Sequence, residues 1–242
     1  MNAIANLSSV VSATARLVLA AGFMASACWT QAQHPGAFDP SFQASLGGPP
    51  DEVLAMVKQT NGQIIVSAFS FIGGYYRFSN INGVPRDGIA RLNADGSLDT
   101  AFNPSLDSEV DALAVQVDGM LVIGGGFSQV NGIRRNGLAR LHADGTLDTS
   151  FVTFLPAYVQ IRALAIQSDG KVLAAAEYLT QDWNVLRVLR FLPDGNFDPD
   201  FAAWPMGSDR PEVNAIVVQP DGRILLGGQF QSVGTLARDG LA

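Results

Sequence analysis

Cysteine and histidine are nearly missing: Cys28, His34 and His142 are the whole supply in 242 residues. Zinc takes about four ligands at close spacing, so a metal site built from His and Cys is excluded. A single thiol also excludes an intrachain disulfide. Basic charge is short as well. Fifteen Lys and Arg stand against 22 Asp and Glu, a formal net charge of -7 with a pI near 4.7. A phosphate-tracking groove needs clustered Lys and Arg, so nucleic acid is not an expected partner. Anionic membrane surfaces are disfavoured for the same reason. No apolar run approaches the length of a bilayer span, about 20 residues. No stretch carries sustained helical periodicity. No G-x-S-x-G elbow, phosphate loop or dinucleotide fingerprint follows a strand.

What is present starts with an unusual N-terminus. Residues 1–32 hold no Asp or Glu and one basic residue, Arg16, followed by the apolar run LVLAAGFMASA from Leu17 to Ala27. Basic, apolar and small-residue regions in that order read as a secretory signal peptide with Thr30 and Ala32 before the cut. A buried N-terminal helix is the competing reading. In ASAC, Cys28 offers lipidation at a lipoprotein site, but Ala25 stands where leucine is usual, and ordinary secretion is preferred. The expected location is outside the cytoplasm, secreted or at the cell surface.

From residue 33 to 242 the chain repeats itself, and such periods are read before local propensities. VLAMVKQTNGQIIVSA from Val53, DALAVQVDGMLVIGG from Asp111, RALAIQSDGKVLAAA from Arg162 and NAIVVQPDGRILLGG from Asn214 align column by column. Ala55, Ala112, Ala163 and Ala215 share one column. Gln59, Gln116, Gln167 and Gln219 share another, and Gly62, Gly119, Gly170 and Gly222 a third. Each unit breaks into four short extended runs joined by Asp-Gly turns, where glycine accepts positive φ and the acid tolerates it. Paired small residues, Ser67-Ala68, Gly124-Gly125, Ala175-Ala176 and Gly227-Gly228, suit backbones in close approach. Four antiparallel strands in roughly fifty residues, stacked on copies of themselves, predict an all-β propeller. The blades run approximately 53–102, 110–151, 161–201 and 213–242, three complete and one incomplete.

The full pattern, ALAVQ-x-DG-x-ILxGG-F followed by VNG, RNG, ARL-x-ADG and LDTSF, resembles the delta-60 repeat of bacterial secreted and surface proteins. The resemblance covers nearly everything from Phe38 to Ala242. It implies a propeller-like fold and no enzymatic activity.

Where the copies differ, function is sought, because scaffold recurs and a site usually occurs once. The first unit carries eight extra residues between Ala68 and Phe78, with Phe69, Phe71, Tyr75 and Tyr76 beside Gly73 and Gly74. Aromatics on a glycine-flanked loop favour ligand contact; packing on the next blade is the alternative. The third unit replaces the shared N-G-x-x-R-[DN]-G connection with YLTQDWNVLRVLRF, so Trp183 is either a rim contact or a plug. The orphan AFDPSF at 37–42 could complete the last blade in a closed four-bladed ring. A larger ring cut short is the favoured expectation, since an open edge is costly.

The recurring aspartate pairs, Asp95 with Asp99, Asp144 with Asp148 and Asp194 with Asp198, suggest calcium only weakly. They lack alternating ligand spacing, and a turn aspartate capping its own backbone explains each copy. No other cofactor is expected. Arg91, Arg140 and Arg190 are expected to pair with the aspartate of LDTSF across the adjacent strand, as scaffold. The function these observations favour is a non-enzymatic extracytoplasmic propeller for binding or surface scaffolding, its ligand an unknown protein or glycan. The alternative is a lyase or hydrolase acting on an extracellular glycan.

Overall fold

The computed structural model describes residues 42–46, 52–69, 71–72, 75–76, 80–179, 184–201, 204–207 and 211–242, with the backbone pair Arg16–Leu17. That pair lies parallel to Ala55 and Met56. The rest of the expected leader, Cys28 included, lies outside the described residues. Every described element is a strand. No helix among the described residues is long and apolar enough to cross a membrane.

The first unit consists of β1 (Glu52–Lys58), β2 (Ile64–Phe69) and β3 (Ile89–Leu92). The second has β4 (Val110–Val115), β5 (Leu121–Gly125) and β6 (Leu138–Leu141). The third has β7 (Val159–Ile166), β8 (Val172–Leu179) and β9 (Asn184–Phe191), with β10 (Trp204–Gly207) added to its outer edge. The fourth repeats the hairpin as β11 (Glu212–Val218) and β12 (Ile224–Gln229), and a bridge between Gly227 and Leu241 takes the third place. All within-unit pairings are antiparallel. These are stacked propeller blades.

Two details refine the expected blade. At the hairpin necks only glycine takes positive φ, as at Gly119 with φ 86°. Gly119 N–H donates to the Gln116 carbonyl at 2.9 Å and Gln116 N–H to the Met120 carbonyl at 2.8 Å. That closes a three-residue loop with an αL glycine. Asp118 works differently: its Oδ1 accepts from the Met120 N–H at 3.0 Å. The acid is there to cap the turn, not to carry the strained torsion. The fourth run of each unit, in turn, contributes one bridge (Leu92 to Leu98, Leu141 to Leu147, Phe191 to Phe197). It then leaves the ladder because Asp99, Asp148 and Asp198 take the N–H two residues on.

Those same aspartates hold the repeated arginines. Arg140 Nε and Nη2 both reach Asp148 Oδ2 at 2.7 Å, and the guanidinium lies 4.7 Å from the Phe151 ring centre. Arg91 with Asp99 and Phe102, and Arg190 with Asp198 and Phe201, repeat the arrangement. The pairing is as expected from the sequence, but its reach is longer. Arg140 Nη1 donates to the Pro193 carbonyl at 2.8 Å, and Arg91 Nη1 donates to the Ala143 carbonyl. Each acceptor sits in the Asp-Gly turn of the following unit. One side chain thus ties its own strand, its own fourth run and the next blade.

A second clip uses the Asn-Gly of the connection. Asn131, at φ 50°, accepts the Ser105 N–H on Oδ1 at 2.8 Å and returns Nδ2 to the Gly145 carbonyl at 3.3 Å. Asn82 does the same with Ser45 and Gly96. Residues 42–46 therefore dock on the first unit as 102–106 dock on the second.

Apolar faces fill the space between neighbours. Ala55, Val57, Ile65 and Ile89 of the first unit share one core with Leu113, Leu121, Ile123 and Leu141 of the second. Ala112, Val122 and Leu138 share the next with Leu164, Val172 and Phe191. Ala163, Leu173, Ala175 and Val188 share the third with Val213, Ile216 and Leu226. The small-residue column works as expected: a Cβ at Gly124 would stand 2.6 Å from Ile161 Cγ2 of the next unit.

Removing one partner of a buried ion pair leaves an uncompensated charge and costs about 3 kcal/mol or more. Arg140→Ala is therefore expected to lower the urea unfolding midpoint markedly, whereas Arg238→Ala, at an exposed position, changes it by less than about 0.5 kcal/mol. Burial alone would raise the Asp148 pKa. Hydrogen bonds from Ser150 and the Arg140 guanidinium outweigh it, and hold the group at about 2 against an ordinary 3.8. Its contribution is thus complete above pH 3.8 and lost as pH falls toward 2. In Asp148→Asn that segment of the stability profile should flatten, as acid titration followed by tryptophan fluorescence will show.

Candidate functional site

Each first strand carries a bulge at the same place, after Val53, Val110, Ile161 and Val213. A bulge adds one residue and re-aims its side chain. The inserted residues are Leu54, Asp111, Arg162 and Asn214, four unlike residues in one column. In an otherwise repeating molecule, that variation singles the position out.

Around the second and third of these bulges the structure gathers a polar cluster. Gln160 Nε2 donates to Asp111 Oδ2 at 2.7 Å and to Glu109 Oε1 at 2.9 Å. Arg162 Nε meets Glu177 Oε2 at 2.8 Å, and its Nη1 lies 3.6 Å from Asp111 Oδ2. Ser108 Oγ also bonds the Glu109 carboxylate. The sequence explains how three acids coexist here. Gln160 occupies the column of Glu52, Glu109 and Glu212, so an amide donor replaces what would be another carboxylate between two carboxylates. Gly126 makes room, since a Cβ there would stand 2.8 Å from Glu109 Oε1.

Beside the cluster runs a groove of about 600 Å³, between the second unit's connection and the entry to the third. Gly126 lines it, together with Asp107, Ser128, Gln129, Arg134, Asn136 and Tyr158. Asp107 is committed to scaffold, accepting the Ser128 N–H at 2.8 Å and the Gln129 N–H at 3.1 Å. Asn136 donates Nδ2 to the Leu155 carbonyl at 2.8 Å, while its buried Oδ1 has no partner. Tyr158 stands at φ 62° and is 81% exposed. A bulky residue in the left-handed region costs roughly 1–3 kcal/mol, and such strain concentrates at binding sites. An exposed aromatic edge beside the Gln129 amide and the Arg134 guanidinium can hold a polar ligand by stacking and hydrogen bonds.

The aromatic insert expected to bind is only partly described. Phe71 pairs with Tyr76 and Ile72 with Tyr75 in a two-residue backbone hairpin. The side chains of Phe69, Phe71, Tyr75 and Tyr76, and all of Trp183, lie outside the described residues. The cluster and Tyr158 were missed because sequence columns show variation without showing that bulges aim it. The signal was available in the alignment: a glutamate column broken by Gln160, and a tyrosine opposite Asp107. Among the described residues, no three His, Cys, Asp or Glu side chains group at metal-binding spacing. The Asp-Gly aspartates are occupied, Asp95, Asp144 and Asp194 each accepting the N–H two residues on.

A family described as "Domain of unknown function (DUF5122) beta-propeller" matches the chain over residues 59–102, 116–151, 167–201 and 219–242. These four segments reproduce the four units, each starting at the glutamine column. No curated protein matches the sequence.

Gln160→Glu restores the column residue, and should remove two donors while placing a third carboxylate against Glu109 and Asp111. A loss of about 3 kcal/mol is expected at pH 7. Urea unfolding of the two proteins, compared at that pH, checks it.

Proposed function

The chain belongs to this β-propeller family, and from that premise we propose that it is a non-enzymatic binding or scaffold module acting outside the cytoplasm. The finer kinship supported by the motif string is with delta-60 repeats. The groove between the second and third units is its principal ligand contact, taking a polar glycan or a protein segment. The observation that carries this reading is Tyr158, strained and exposed over a groove found where the repeat departs from itself. The basic, apolar and small-residue order of residues 1–32 supports export, and the acidic charge balance supports a neutral or basic ligand over a polyanion. The aromatic insert of the first unit is a second contact on the same reading.

A glycan lyase or hydrolase is the second reading, favoured by one feature: two carboxylates, Glu109 and Asp111, converge on a single amide next to the groove. The two readings separate on a glycan array run beside polysaccharide turnover assays. Binding without turnover, lost at least tenfold in Tyr158→Ala and Arg134→Ala while the fold is kept, is the expected result. Glycan binding unaffected by both substitutions would refute the groove. Turnover abolished by Glu109→Gln would replace the module with the enzyme.

A further inference from the structure

We propose that Arg86, at the seam between the first and second units, binds a small free carboxylate of the size of formate or acetate. Arg86 belongs to the N-G-x-x-R-[DN]-G connection, in the column of Arg135 and Arg238. The residues that follow it place it at the seam. Asp87 Oδ2 accepts from Ser105 Oγ at 3.1 Å, and a Cβ at Gly88 would stand 3.3 Å from the Ser108 carbonyl oxygen. Arg86 itself is only 6% exposed. A buried guanidinium is a buried cation, and burial of a cation is costly unless an anion is held against it.

The other arginine column shows what such a cation takes in this molecule. In Arg91 and Arg140, Nε and Nη2 form one edge of the guanidinium, and both reach the same carboxylate oxygen. The distances are 2.9 and 2.8 Å to Asp99 Oδ2, and 2.7 Å for both to Asp148 Oδ2. Nη1 of each goes to a backbone carbonyl. Arg86 repeats half of that arrangement. Its Nη1 donates to the Pro85 carbonyl at 2.8 Å, while Nε and Nη2 are buried with no hydrogen-bond partner. The unpartnered pair is the edge that takes the carboxylate in the other column. Its orientation is fixed by a contact that recurs: Arg135 and Arg238 also give Nη1 to the preceding carbonyl, at 2.8 and 2.7 Å. Arg135 Nε is buried without a partner as well. A planar pair of N–H donors suits a carboxylate, whose charge offsets the buried cation where a water molecule would only accept its hydrogen bonds. Burial limits the occupant to a free small ion rather than a side chain of another protein. The site is independent of the groove between the second and third units, which Arg86 does not line.

Thermal unfolding at fixed pH and ionic strength, with sodium chloride replaced stepwise by sodium acetate, tests this on wild type, Arg86→Met and Arg86→Lys. The wild-type midpoint should rise saturably, by roughly 3 °C or more once acetate is about tenfold above half-saturation. Arg86→Met removes the charge and should not respond to the exchange. Arg86→Lys keeps the charge but loses the fork, and should lose most of the response even if the Met variant does not fold. A general effect of acetate on stability moves all three chains alike. A wild-type midpoint indifferent to acetate, or an equal rise in the variants, would overturn the proposal and leave the guanidinium edge to water.

Discussion

The guanidinium of the repeated arginine is the interaction on which the blade stack depends. Arg140 meets a carboxylate of its own unit, a ring of its own fourth run and a carbonyl of the next unit, all from a buried position. A planar cation with five donors can satisfy these demands at once, where a lysine's single point charge cannot. The arginine and aspartate recur together because neither is tolerable alone once buried. Phe102, Phe151 and Phe201 recur with them because the cation needs a face to lie on. The stretches 91–102, 140–151 and 190–201 each begin on the arginine and end on the phenylalanine, and so contain all three partners.

Much of this was legible in the sequence. The columns of alanine, glutamine and glycine fixed the unit, the Asp-Gly turns fixed its hairpins, and the paired small residues marked where blades come close. Less legible was what one unit does to the next. Arg140 and Pro193 are far apart in sequence, and nothing local announces that a side chain crosses between blades. The bulges were hidden too, since a one-residue insertion is invisible when every copy contains it. The fourth run looked like a strand because its leucine and phenylalanine alternate. It is a bridge because its aspartate competes for the backbone.

The candidate site follows the same division. Repetition supplies the frame, and the departures from it supply the chemistry. Gln160, Arg162 and Tyr158 all stand in columns where the other units carry something else, and all three lie at the seam between the second and third blades. The sequence directed attention instead to the aromatic insert and to Trp183, because rings are conspicuous in a string of letters. Asn136, with a buried carbonyl oxygen left unpartnered, is conspicuous only in space.

The inter-blade role of the arginine is open to a direct measurement. The Val152 N–H donates to the Asp194 carbonyl across the seam that Arg140 closes. Hydrogen exchange at Val152 and Gly195 should therefore accelerate in Arg140→Ala, while Gly62 in the first unit keeps its protection. Loss of protection confined to the second unit's own turn, with Val152 and Gly195 unchanged, would show that the arginine does not hold one blade to the next.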